Sequence, residues 1–378
     1  MDTKLSCIHL GHKHIPSREG GIEIVVEELA SRMVKRGVAV TCLNRGGHPI
    51  DEKLIDGKCL KEYCGIKLKT VLTINVRGFA AMTASLSGAI FAAFSGAEVV
   101  HFHAEGPCAF IWIPKLFGKR CIATIHGLDH QRAKWGKFAR SYIMIGEKCA
   151  VKHADEIIVL SENVRQYFRK TYQRETQFIP NGVSKPVNNE VNLIEKWGLQ
   201  KDGYILYLGR LVPEKGIQYL IKAFREVKTD KKLVIAGGSS DTDEFESELK
   251  QLAREDERII FTGFVSEEVA ELYSNAYFYV LPSDVEGMPL SLLEAMSYGN
   301  CCLTSDIPEC KEVVEDRAMT FRKGYVKGLQ GKVQLLCDNA KLVNQYKSLA
   351  RDYVCNKYNW DKIVDATLAL YEGREGIL

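Results

Sequence analysis

The chain has 378 residues, 46% apolar and 26% charged, the balance of a globular protein long enough for two domains with separate cores. This excludes disorder, collagen and coiled coil as the dominant state. A net charge of +3 does not argue for nucleic acid, but residues 1–190 carry 27 Lys+Arg against 18 Asp+Glu, so the first half is basic and the remainder acidic. Such a surface suits phosphate or an anionic membrane, and also ordinary solvated charge.

The opening MDTKLSCIHLGH is too polar for a secretory signal. Strands are predicted at Lys4–Leu10, Val38–Asn44, Thr70–Val76, Val99–His103, Arg120–His126 and Glu156–Ser161. Between them, helices are predicted over Gly21–Arg36, Phe79–Phe94, Pro107–Phe117, Lys137–His153 and Glu162–Tyr172. The most apolar stretch, Phe79–Val100, is rich in Ala, Ser and Gly and includes Glu98, so it does not read as a membrane span. Twelve Cys without a C-x-x-C pair read as reduced core residues of a cytoplasmic protein.

A short strand and turn at Phe178–Val183 and the polar linker Ser184–Asn192 precede a second series. Its strands are Tyr204–Gly209, Lys232–Gly237, Arg258–Phe264, Ala276–Pro282 and Asn300–Ser305. Its helices are Gly216–Val227, Asp243–Arg254, Ser266–Ser274 and Pro289–Tyr298, and the chain after Gly324 is mainly helical. Such alternation predicts two doubly wound α/β domains with a cleft between them. Ligands of such sheets bind beyond the carboxyl ends of the strands, in the strand-to-helix loops.

Four loops carry candidate chemistry. Gly20 and Gly21 open the first helix, where backbone can approach a phosphate or simply turn tightly. His126 stands at a strand end, able to bond a sugar hydroxyl, handle a proton or cap a carbonyl. His101 and His103 end the preceding strand, but no carboxylate has ligand spacing to them, so no metal is expected. Arg210 and Lys215 flank a strand-to-helix loop and suit a diphosphate, or are solvated surface cations. The fourth loop runs from Ser283 to Glu294. Pro289 fits the first helical position, and Gly287, Met288, Pro289 and Leu290 stand where a new helix offers free N–H groups. Glu286 and Glu294 flank that start and can accept bonds from sugar and ribose hydroxyls, or compensate a helix dipole.

Glu286 and Glu294 stand in the frame E-G-M-P-L-S-L-L-E-A-M-S-Y-G, with seven residues between them. This resembles the Glu-(seven residues)-Glu motif of retaining glycosyltransferases of family 4, which have the GT-B fold. R-E-G-G-I-E, T-I-H-G, I-P-N-G-V, G-R-L-V-P-E-K-G and the late Y-N-W-D-K-I follow in the family's order, so the resemblance covers nearly the whole chain. The opening is also similar to bacterial capsule and surface-polysaccharide transferases.

The resemblance implies a fold of two Rossmann-like doubly wound domains facing a cleft. It implies an acceptor-side domain at 1–188, a nucleotide-sugar-binding domain at 189–358 and a C-terminal helix at 359–378 returning to the first. It implies that Arg210 and Lys215 hold the donor diphosphate and that Glu294 binds the ribose. Glu286 would hold the donor sugar, with the backbone of Gly287, Met288, Pro289 and Leu290. Phe264 and Val265 would lie against the base. Gly20 and Gly21 would approach the diphosphate from the other domain, and His126 would touch the donor sugar or the acceptor hydroxyl.

The donor would be a UDP-, GDP- or dTDP-sugar, the acceptor a glycan or lipid-linked hydroxyl, with no cofactor, metal or nucleic acid. Residues 130–140 mix cations with Trp135 and Phe138, and Phe110, Trp112, Lys115, Phe117, Lys119 and Arg120 precede them. That mixture suits a buried helical face with solvated cations. The resemblance favours instead loose docking on the inner face of an anionic cytoplasmic membrane. A GT-B phosphorylase or epimerase, a non-catalytic binding module and a nicotinamide oxidoreductase are the rival classes. The last would need G-x-G-x-x-G after a first strand, which neither half has.

Overall fold

Strands covered by helices on both faces need unbroken apolar runs. Phe278–Leu281 is such a run, buried at every residue, and Val99–His103 is equally buried although it includes two histidines. The computed structural model of the chain describes residues 5–47, 60–76, 78–131, 136–239 and 243–376. It divides into two units, Met1–Asn181 with Trp360–Leu378, and Gly182–Asn359.

The first unit begins β1 (Ser6–Leu10), α1 (Gly21–Lys35), β2 (Ala39–Arg45), β3 (Glu62–Tyr63), β4 (Ile66–Val71) and α2 (Ala80–Ala93). It continues with β5 (Val99–His103), α3 (Trp112–Leu116), β6 (Arg120–Ile125), α4 (Lys137–His153), β7 (Glu156–Val159), α5 (Glu162–Tyr172) and β8 (Gln177–Phe178). The strand order is β3-β4-β2-β1-β5-β6-β7-β8, parallel except for the β3–β4 hairpin. Ser161 caps α5 by accepting from the Val164 N–H at 3.3 Å.

The second unit runs β9 (Tyr204–Leu208), α6 (Ile217–Arg225), β10 (Lys232–Ala236), α7 (Asp243–Ala253), β11 (Ile259–Gly263), α8 (Val269–Asn275), β12 (Phe278–Leu281) and α9 (Leu290–Ser297). Then come β13 (Cys302–Ser305), α10 (Pro308–Val314), β14 (Met319–Phe321), α11 (Val326–Asp338) and α12 (Ala340–Lys357). Its all-parallel order is β11-β10-β9-β12-β13-β14. Counted within the unit this is 3-2-1-4-5-6, the dinucleotide-fold order, whose ligand crevice lies where the winding reverses. That switch point falls between β9 and β12.

The last helix, α13 (Trp360–Tyr371), packs on the first unit. Arg36 on the C-cap of α1 pairs with Asp361 at 3.0 Å and Asp365 at 2.9 Å, and Arg120 donates to the Leu370 carbonyl at 2.7 Å.

Three local expectations are corrected. The predicted strand Thr70–Val76 is displaced to Ile66–Val71, because Leu72, Ile74 and Val76 find no neighbour strand and stay exposed. Residues Cys64 and Gly65, both with positive φ, form the two-residue hairpin that starts β4. The helix predicted over Pro107–Phe117 breaks into a tight turn at Gly106–Phe110 and α3, since Pro107 and Pro114 lack N–H donors. Pro289 is the cap of α9 rather than its first residue, its carbonyl accepting from Leu292 at 3.1 Å and Leu293 at 3.2 Å. Every described cysteine is a free thiol.

Candidate active site

At the switch point of the second unit, backbone packing sets the loops. A Cβ on Gly237 (φ +134°) would lie 2.0 Å from the Gly209 carbonyl oxygen, so only glycine lets the loop after β10 press on the end of β9. Gly216 has φ +67°, and its Cβ would lie 2.0 Å from the Pro282 oxygen. The loop after β9 thereby meets the end of β12. Asp284 N–H donates to the Glu214 carbonyl at 2.8 Å and joins the two loops.

This contact brings Lys215 to Glu286, Nζ to Oε1 at 2.7 Å, with the side chains only 14% and 8% exposed. Ser283 donates to the same Oε1 at 2.6 Å. Arg210, half-buried, makes no ion pair with a described residue, while its carbonyl accepts from the Tyr207 hydroxyl at 3.0 Å. Glu294 stands on the first turns of α9 and accepts from the Tyr273 hydroxyl at 3.3 Å. Burial pushes the phenols of Tyr207 and Tyr273 well above their usual range, with Glu286 and Glu294 respectively as the next cause. They therefore act as neutral donors. Gly287, Met288 and Pro289 are buried, Leu290 half-buried; Val265 is buried beside an exposed Phe264. The structure thus joins Lys215 directly to Glu286, partners the motif did not reveal.

In the first unit Gly20, extended at φ −150°, precedes α1, and Gly21 is its first residue. Asn44 holds the approach to them, accepting from the Ile15 N–H at 3.1 Å and donating to the Ile15 carbonyl at 3.0 Å. His126 is half-buried and heads a chain of imidazoles. Its Nε2 meets His103 Nδ1 at 3.2 Å, and His103 Nε2 meets His9 Nδ1 at 3.0 Å. The Tyr371 hydroxyl lies 3.3 Å from His9 Nε2 and 2.6 Å from His101 Nδ1, and His101 Nε2 meets Thr124 at 2.7 Å. Burial takes His9 down to about 3 and lowers His101 and His103 well below the usual range, so these rings are neutral. His9 and Tyr371 escaped sequence reasoning. The one signal was a polar residue inside the apolar strand Ser6–Leu10.

The Lys115 ammonium is taken by Asp155 at 2.6 Å, and Arg120 by the Leu370 carbonyl, which removes both from the expected membrane-facing cations. Arg132, Lys134 and Trp135 lie outside the described residues. Exposed apolar side chains are nonetheless grouped where α2 meets α3. Phe94 and Leu116 are each 74% exposed, Phe117 51% and Trp112 41%, with the Phe94 and Phe117 rings 4.7 Å apart.

Residues 19–185 match the family model described as Glycosyltransferase Family 4, and residues 190–373 match Glycosyl transferases group 1. The chain belongs to the family 4 glycosyltransferases. It is a nucleotide-sugar-dependent transferase of a retaining hexosyltransferase family, which sets aside the oxidoreductase and binding-module readings. An uncharacterised glycosyltransferase of Methanocaldococcus jannaschii is 29% identical over 251 residues, 62% of each chain. The O-antigen chain mannosyltransferase B of Escherichia coli is 26% identical over 187 residues, 48% of each chain. The Anabaena protein HepE, solved with UDP and glucose, superposes on the transferase with TM-score 0.81 at 14% identity, over 98% of this chain and 100% of its own. That likeness shows the GT-B fold. No described helix of the transferase is long and apolar enough to cross a membrane.

Proposed function

We propose that the transferase moves a hexose from a UDP-sugar to a hydroxyl of a lipid-linked glycan acceptor in surface-polysaccharide synthesis. The observation that carries the donor half is the joining of Lys215 to Glu286, with Arg210 on the same loop as Lys215, at the winding reversal of a 3-2-1-4-5-6 sheet. Arg210 and Lys215 neutralise the leaving diphosphate with charge-assisted bonds. Glu294 accepts from the ribose. Glu286 and the backbone from Gly287 to Leu290 hold the sugar, while Phe264 and Val265 face the base.

The bond from the anomeric carbon to the phosphate oxygen breaks and the bond to the acceptor oxygen forms on the same face. The acceptor proton leaves with the diphosphate. No described carboxylate is needed as a covalent nucleophile, so the residues position and stabilise. Gly20, Gly21 and His126 belong to the first unit, and we assign Gly20 and Gly21 to the diphosphate and His126 to the reacting hydroxyl. The UDP donor is supported by the UDP and glucose in HepE, and the surface glycan by the likeness to the O-antigen transferase. The lipid carrier is supported by the exposed apolar group of Phe94, Trp112, Leu116 and Phe117.

The test is a thermal-shift screen with UDP, GDP and dTDP and their sugars, followed by NMR of the product anomer. UDP alone should raise the melting temperature at micromolar concentration, since a ligand bound to the native state stabilises it. The transferred sugar should keep the donor's anomeric configuration. A response to GDP or dTDP instead of UDP would overturn the donor assignment.

A further inference from the structure

The first unit carries a second polar cluster that the transfer reaction does not use. Glu105 stands at the start of the turn after β5, His130 lies in the loop after β6, and Glu147 sits in the middle of α4. Both carboxylates are fully buried. His130 Nδ1 lies 3.8 Å from Glu105 Oε1 and 3.5 Å from Glu147 Oε2, and the three atoms all lie within 4.8 Å of one another. None of these three atoms has a hydrogen-bond partner outside the trio.

The other carboxylate oxygens are held in place. Asp129 N–H donates to Glu105 Oε2 at 2.9 Å. Tyr167 donates to Glu147 Oε1 at 2.9 Å, and Tyr172 donates to the same oxygen. Two buried carboxyl groups therefore turn these oxygens toward one imidazole nitrogen, and no described Lys or Arg pairs with either. Leaving such groups uncompensated is strongly unfavourable. Backbone packing enforces the meeting: a Cβ on Gly146 would stand 2.0 Å from the Glu105 carbonyl oxygen, so glycine lets α4 touch that turn.

We propose that Glu105, His130 and Glu147 bind a divalent transition-metal ion of the Zn²⁺ class. One nitrogen and two carboxylate oxygens with an open fourth position are a familiar zinc donor set. Ligands at ~2.0–2.2 Å from a tetrahedral ion stand about 3.3–3.6 Å apart, close to the 3.8 Å and 3.5 Å from the imidazole nitrogen to the two carboxylates. The tyrosines and the Asp129 N–H are the outer partners that orient such ligands. The trio His9, His101 and His103 also brings three nitrogens together, but both nitrogens of each ring already have protein partners. The orphaned atoms select the Glu–His–Glu cluster.

The ion joins three segments: the turn after β5, the loop after β6 and α4. That loop also carries His126, four residues before His130, so the ion fixes the loop without entering the sugar transfer. The assignment does not depend on which donor or acceptor is used.

The full untagged chain is treated with chelator, offered Zn²⁺, desalted and assayed for bound metal and melting temperature. We expect about one equivalent, a melting temperature raised by several degrees, and at least a tenfold loss of bound zinc in His130→Ala and Glu147→Gln. Zinc-edge absorption spectroscopy of the wild-type protein should report one imidazole with oxygen neighbours, which decides the matter even where a variant fails to fold. Less than a tenth of an equivalent with no thermal shift would overturn the proposal and leave a shared proton as what neutralises the pair. Wild-type occupancy in both folded variants, or a three-imidazole spectrum, would overturn it in favour of another site.

Discussion

Arg210 and Lys215 carry the same charge in different settings, and substitution should separate them. Arg210 has no described ion-pair partner, whereas Lys215 neutralises a Glu286 that is 8% exposed. Charge-assisted bonds contribute ~1.5–3 kcal/mol each, so Arg210→Ala and Lys215→Ala should both weaken UDP binding about tenfold or more. Only Lys215→Ala should also lower stability, by roughly 3 kcal/mol, because it strands a buried carboxylate. Calorimetric titration with UDP and thermal melts check both; wild-type UDP affinity in both variants would sink the diphosphate assignment.

The buried imidazoles set a pH dependence. His9, His101 and His103 have lowered folded values, so below their unfolded value of about 6.5 the unfolded chain binds more protons than the native one. Their contribution is fully present above that value and is lost as pH falls below it. Each ring costs about 1.4 kcal/mol per pH unit, so three together cost roughly 4 kcal/mol per unit. Denaturant melts should show stability flat from pH 7 to 8 and falling steeply toward pH 5. Equal stability at pH 8 and 5.5 would mean that these rings do not stay neutral.

At the scale of elements, β9, β12 and their loops form one device. Gly216 is its joint, with φ +67° and the Pro282 oxygen 2.0 Å from a would-be Cβ. Gly324 has φ +69° but nothing within 4 Å of a would-be Cβ, which makes it the matched control. Gly324→Ala should cost only the left-handed backbone term, ~1–2 kcal/mol. Gly216→Ala should add an overpacking cost of ~1–3 kcal/mol and reduce UDP affinity, because the clash parts Lys215 from Glu286. Equal melting temperatures for the two variants would show that the loop contact is not tight.

At the scale of the molecule, the first unit is completed by the last helix. Trp360, Ile363, Val364, Leu370 and Tyr371 are all buried on it. At ~1.5–3 kcal/mol per buried side chain, this burial is of the order of a whole domain's stability of ~5–15 kcal/mol. A chain ending at residue 359 should therefore lose protection from proteolysis in the first unit while the second still resists. Protease protection of both units would contradict this. The exposed group of Phe94, Trp112, Leu116 and Phe117 gives the second whole-molecule expectation. Because the group is apolar, the transferase should sediment with lipid vesicles and stay bound as salt rises. Leu116→Ser with Phe117→Ser should abolish sedimentation without changing UDP affinity; equal recovery in the supernatant with and without vesicles would defeat the membrane reading.

What was local in the chain was legible from it. Apolar runs such as Tyr204–Leu208, the helix periods of α4 and α5, and the frame from Glu286 to Glu294 are set by neighbours in sequence, and they sufficed for the fold class, the family and the residues proposed for the donor. Which strands pair was not local. β4 took Ile66–Val71 rather than Thr70–Val76 because a strand needs a partner as well as propensity. The Lys215–Glu286 pair joins residues 71 positions apart, and His101 meets Tyr371 across 270. Glu105, His130 and Glu147 have no ligand spacing at all; they converge because β5, β6 and α4 are adjacent and because Gly146 admits the Glu105 carbonyl. Close approach of backbone and convergence of buried polar atoms are properties of packing, so only the tertiary structure decided them.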